Sequence, residues 1–178
     1  RKWCSVTEPL FSANRLSYQP VSHITFMNIN IITLGCSKNN VDSEVLASQF
    51  RQKGHNVFHN SVQENGIDWV VINTCSFIQD AKAQAIDEIL LQLERKKQGF
   101  IKKVYVIGCL AQRYEDDLRE SLPEIDGIFP FLQLNKLLDE PQFDLLHQTD
   151  RILSTPKHYA YLKISEGCDR QCSYCAIP

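Results

Sequence analysis

An α/β fold built on a parallel sheet is predicted by three observations. First, apolar runs rich in β-branched residues alternate with stretches of helical periodicity between residues 28 and 140. Second, NINIITLGC (28–36), IDWVVINTC (67–75) and KKVYVIGC (102–109) are apolar on both faces, as strands covered by helices on either side must be. Third, each of these runs ends in a cysteine just before a helical segment. In such a sheet the crossovers are right-handed, and the carboxyl ends of the strands share one edge, where ligands bind.

Taken in order, 28–36 is the first strand. In VDSEVLASQFRQKG, Val41, Val45, Leu46 and Phe50 share one helical stripe, Asn39 or Asn40 caps the start, and Gly54 caps the end. HNVFHN (55–60) alternates weakly and reads as a second strand, and 67–75 as a deeply buried third. Phe77, Ile78, Ala81, Ala85, Ile86, Ile89, Leu90 and Leu93 recur every three or four residues and predict a long helix. Its basic end, ERKKQG, suits the helix dipole, with Gly99 just beyond. After the strand at 102–109, Leu110, Tyr114, Leu118 and Leu122 predict one helix stopped by Pro123. EIDGIF (124–129) reads as a short strand and LQLNKLLDE (132–140) as a short helix. HYAYLKIS (158–165) is strand-like and runs into the loop SEGCDRQCSYCAIP. The expected division is a leader without packed structure at 1–27, an α/β domain at 28–147, a linker at 148–156, and the start of a second domain at 157–178.

At 178 residues with 43% hydrophobic content, the chain can bury a sizeable core. No run of about 18 apolar residues predicts a membrane span. A net charge of −2 argues against a broad nucleic-acid-binding face. Seven cysteines, an odd number, and no apolar signal segment in residues 1–26 argue against a disulfide scaffold. They favour cysteines as metal ligands in a reducing cytoplasm.

Cys168, Cys172 and Cys175 form C-x3-C-x2-C. Three thiolates in one loop can hold three corners of a [4Fe–4S] cluster, leaving one iron open. Zinc is the alternative, but it prefers four ligands, and no histidine lies within this loop. Cys36, Cys75 and Cys109 form a second set. A lone cysteine at a strand end is an ordinary core residue. Three at equivalent positions on one edge, each before a helix start whose free N–H groups suit anions, point to a shared metal site. Cys4 has no such context and reads as a free thiol.

The C-x3-C-x2-C loop, with Tyr174 before its last cysteine, resembles the radical S-adenosylmethionine (SAM) superfamily. LGCSKNNVDSE, INTCSFIQDAKAQAIDEI, VIGCLAQRY and YAYLKISEGCDRQCSYCAIP together resemble the methylthiotransferase family, from about residue 29 to the end of the chain. The resemblance implies a flavodoxin- or Rossmann-like N-terminal domain holding an auxiliary [4Fe–4S] cluster on Cys36, Cys75 and Cys109. It also implies the first strand and cluster loop of a radical-SAM barrel, with SAM at a second [4Fe–4S] cluster on Cys168, Cys172 and Cys175, beside Tyr174. The implied chemistry is reductive cleavage of SAM to a 5′-deoxyadenosyl radical, with the auxiliary cluster carrying sulfur and a second SAM giving the methyl group. Ser37-Lys38-Asn39 resembles the branch that modifies the β-carbon of an aspartate in the small-subunit ribosomal protein uS12. The alternative is the branch that modifies adenosine in tRNA. The implied partners are uS12 or the small ribosomal subunit and an electron donor such as flavodoxin, with no membrane. The chain is then an N-terminal fragment, inactive by itself. A non-catalytic metal-binding redox module is the alternative from another class.

Other residues carry plainer readings. Asp42 and Glu44 read as acids of a first helical turn, with substrate contact as the alternative. His55, His59 and His158 lack metal spacing. Asn73 and Thr74 fit either a turn or hydrogen bonds to cluster sulfurs. Lys163 and Arg170 read as solvated loop charges, with SAM contact as the alternative.

Overall fold

The computed structural model describes residues 26–62, 66–139, 141, 150–170, 172, 173 and 175. The three cysteine-ended runs form the middle of a five-stranded, wholly parallel sheet. Strands β1 (Asn28–Thr33), β2 (Asn56–His59), β3 (Ile67–Thr74), β4 (Ile101–Gly108) and β5 (Gly127–Phe129) lie in the order β2-β1-β3-β4-β5. This is the flavodoxin-like order, and its topological switch point falls between β1 and β3. The expected α/β class and architecture therefore hold.

Alternation along each strand builds two cores. Val71, Tyr105 and Ile107 face α1 (Ser37–Gln52), where they meet Val45, Leu46 and Phe50. Val70, Ile72, Val104 and Val106 face the other way, toward Ala85, Ile89 and Leu93 of α2 (Gln79–Lys97). Helices α3 (Cys109–Arg113) and α4 (Glu115–Ser121) complete this second layer through Leu110 and Leu118. A 3-10 turn (Phe131–Gln133) and α5 (Leu134–Leu138) close the first. An aromatic row, Phe50–Trp69–Tyr105–Phe129, crosses four elements at centroid spacings of 5.0–6.3 Å. Among the described residues no helix is long and apolar enough to cross a membrane.

Several expectations are corrected. The first strand ends at Thr33, and α1 starts at Ser37 behind an extended Cys36, so neither Asn39 nor Asn40 caps it. Phe77 and Ile78 precede α2 and are exposed, and Leu90 points outward at 46% exposure beside the buried Ile89. The helix expected across 110–122 breaks at Tyr114 (φ −130°), whose ring lies 3.9 Å from Lys82 Nζ of α2. Residues 158–165 form no strand. A strand needs a hydrogen-bonded neighbour, and this segment pairs with none among the described residues, leaving Leu162 and Ile164 exposed.

Residues 150–156, expected as linker, have neither helix nor strand, yet Ile152 packs against the first core. The expected leader lies outside the described residues except for Phe26 and Met27. The Met27 carbonyl accepts a bond from Asn56 N.

Candidate metal centre

Register brings the first cysteine set to one edge. Thr33 pairs with Asn73, and Thr74 with Gly108, so β1, β3 and β4 end level. Cys36 follows as the N-terminal flank of α1, Cys75 directly follows β3, and Cys109 opens α3. All three therefore sit at the carboxyl edge of adjacent strands, as their positions in sequence predict. Cys75 is buried at 5% exposure, while Cys36 and Cys109 are exposed.

Two glycines let the backbone close around these positions. Gly35 (φ +90°) packs onto Cys75: a Cβ at residue 35 would lie 2.3 Å from Cys75 Cβ and 2.8 Å from its Sγ. Gly108 (φ +90°) packs onto the end of β3. Asn39 stitches the same turn. Its Nδ2 donates to Leu34 O (2.7 Å) and Thr74 O (3.1 Å), and Cys36 Sγ donates to its Oδ1 at 3.9 Å.

Asn73 and Thr74 are committed to the scaffold. Asn73 Nδ2 donates to Asn39 O and Ser43 Oγ, both at 3.0 Å, and Thr74 Oγ1 donates to Ile107 O at 2.6 Å. Thr74→Val should therefore lower stability by about 1–2 kcal/mol in urea unfolding, because it keeps the shape and removes a buried donor. His59 is satisfied through Thr33 Oγ1 at 2.8 Å.

The thiols feel one another. Burial pushes the Cys109 thiol up, the charges of Cys75, Cys36 and Glu166 add to this, and Arg113 opposes it. Mutually repelling thiolates suit a cationic centre, and soft sulfur ligands suit iron–sulfur clusters or zinc. Ser76 Oγ, next to Cys75, is buried and finds no partner among the described residues, so a donor is free for an acceptor at this edge. Among the described residues no three His, Cys, Asp or Glu side chains converge on a single metal-ion position. A four-iron cube binds its thiolates at separate irons, so its ligands surround an object larger than an ion. The edge fits such a cluster by donor type and topology.

The second set lies on a loop. Cys168, Cys172 and Cys175 are exposed, and Cys175 N donates to Cys172 O at 3.0 Å. Tyr174 lies outside the described residues.

Asp42, Glu44 and Lys163 depart from their sequence reading. The two acids lie beyond the first turn of α1 and are buried. Lys163 is not a solvated charge: its side chain is 10% exposed and contacts Asp42 Oδ1 at 2.6 Å. Nothing local in the sequence signals these contacts. The only hint is two acids on a helix that is otherwise apolar and small at 41–47.

Residues 28–130, more than half of the chain, match the family described as Uncharacterized protein family UPF0004. The chain belongs to the UPF0004 family. The matched domain contains Cys36, Cys75 and Cys109, and the second set follows it. The chain is also similar to bacterial proteins named ribosomal protein uS12 methylthiotransferase RimO. It is 50% identical over 152 residues to that of Cytophaga hutchinsonii, 51% over 152 to that of Flavobacterium psychrophilum, and 50% over 153 to that of Porphyromonas gingivalis. Each match covers 84% of this chain and 34–35% of the relative. The chain thus spans about a third of the length of these curated relatives.

Proposed function

We propose that the protein carrying this domain is a cytoplasmic methylthiotransferase that modifies the β-carbon of an aspartate in ribosomal protein uS12. The observation that carries the reading is half identity, across 84% of the chain, to proteins of that name. The shared carboxyl edge of Cys36, Cys75 and Cys109 supports it independently, since such an edge is where α/β sheets bind ligands.

In this reading Cys36, Cys75 and Cys109 hold one [4Fe–4S] cluster. Cys168, Cys172 and Cys175 hold a second, at which SAM binds, with Tyr174 beside it. When bound, the clusters supply one-electron reduction of SAM and an iron site for the sulfur to be transferred. The chain's own contribution is placement. Gly35 and Asn39 fix the turn at Cys36 against Cys75, and Gly108 lets Cys109 leave β4 beside Thr74. Ser76 offers a buried donor that can tune the potential of the first cluster. A flavodoxin-type protein is the expected electron donor, and the ribosomal protein or the small subunit the partner.

The test uses the whole protein. Cys172→Ala should abolish cleavage of SAM to 5′-deoxyadenosine. Cys75→Ala should retain cleavage and lose sulfur transfer. Given SAM and reductant, the protein should add the mass of one methylthio group in place of hydrogen to uS12 and not to unmodified tRNA. Equal loss of cleavage in both variants would refute the division between the cysteine sets, and modification of tRNA alone would refute the substrate.

A further inference from the structure

Glu44 is 2% exposed, and a buried carboxylate requires partners. Its partners come from the segment after the sheet. Glu44 Oε1 accepts from Ser154 N (2.7 Å) and Ser154 Oγ (2.8 Å), Oε2 faces Arg151 Nη1 at 3.7 Å, and the Glu44 carbonyl accepts from Ile152 N (3.1 Å). Asp42, two residues earlier on α1, holds Lys163 at 2.6 Å. Lys163 also pairs with Glu166 and lies 4.4 Å from the Phe131 ring centroid. The segment 150–166 has no helix or strand of its own, so these contacts supply order that its backbone does not.

Both anchors lie on α1, the helix that Cys36 immediately precedes. The strapped segment ends at Glu166, the second partner of Lys163, two residues before Cys168. Helix α1 thus has Cys36 at its N-terminal flank and anchors the segment that leads to Cys168. Chemistry that uses two centres depends on their separation, and misplacement of about 1 Å can cost two orders of magnitude in rate.

We infer that Glu44 and Asp42 are positioning residues that strap residues 151–166 to α1 and so hold the Cys168–Cys175 loop against the edge bearing Cys36, Cys75 and Cys109. The significance of this for catalysis rests on the reading that each set holds its own cluster. The strap itself does not.

The experiment uses the 178-residue chain after anaerobic reconstitution with iron and sulfide. Ser154→Ala with Lys163→Met removes donors from the strap and leaves α1 and the sheet untouched. Amide hydrogen exchange over 151–166 should rise at least ~10-fold in this double variant, with 28–130 unchanged. Glu44→Gln keeps an acceptor for Ser154 and should retain most of the protection, where Glu44→Ala loses it. Pulsed electron paramagnetic resonance should detect interaction between the two reduced clusters in the parent chain and in Glu44→Gln. In the double variant the interaction should weaken at unchanged iron content. A parent chain that takes up iron at only one set would refute the two-cluster reading, and amide exchange would still decide the strap. Unchanged exchange over 151–166 in the double variant, or unchanged cluster interaction despite faster exchange, would overturn the inference.

Discussion

Gly108→Ala is expected to destabilise the domain by roughly 3–5 kcal/mol, while Gly99→Ala costs about 1–2 kcal/mol. Both glycines have positive φ, +90° and +83°, so both replacements carry backbone strain. The difference is space. At 99 nothing lies within 4 Å of the added methyl. At 108 it would meet Asn73 Oδ1 and Thr74 O at 2.5 Å and Thr74 N at 2.9 Å. Two of these atoms are backbone of β3, with Thr74 O also accepting from Asn39 Nδ2, and cannot move aside cheaply. Relief would push β4 from β3 and shift Cys109 from Cys75. Urea unfolding of both variants checks this, and equal losses would refute the steric argument.

Asp42 should give the domain a stability component that falls as pH rises. Burial raises its carboxyl from 3.8 to about 6, with Glu166 adding, against the opposing charges of Lys163 and Lys38. The folded chain therefore holds this proton more tightly than the unfolded chain does. The stabilisation is complete below about pH 4 and is lost as pH rises through 6, a change of about 3 kcal/mol for a side chain only 12% exposed. Asp42→Asn removes the titration. The stability difference between parent and variant should drift by most of that amount, about 2 kcal/mol, from pH 4 to 7, the parent losing ground. A constant difference across this range would exclude Asp42 as its source. Above pH 6 the ionised carboxylate faces Lys163, so the contact that fixes residue 163 is strongest where the domain is least helped by Asp42.

Much of the fold was legible because the signal was local. β3 and β4 are apolar on both faces, and only a covered parallel strand needs that. Their terminal cysteines then fell on one edge by topology alone. What was misread depended on distant partners. Asn39 looked like a cap but bonds to Thr74, 35 residues away. Glu44 and Asp42 read as acids of a first helical turn, yet their partners Ser154 and Lys163 lie 110 and 121 residues along the chain. Tyr114, where the expected helix breaks, meets Lys82 of another helix. No rule of spacing or propensity sees such contacts.

The strand order also sets a schedule for biogenesis. Cys36, Cys75 and Cys109 become neighbours only after β1, β3 and β4 pair, and each pairing waits on a crossover. Closing such long loops precedes any reward from contact and makes parallel sheets slow to form. A nascent chain therefore presents these thiols singly, with no affinity for a shared centre. The thiols of 168, 172 and 175 are neighbours from the moment of synthesis. In the proposed reading, the first set gains its ligand geometry as a product of folding, the second as a property of its sequence, and iron delivered early would reach only the second.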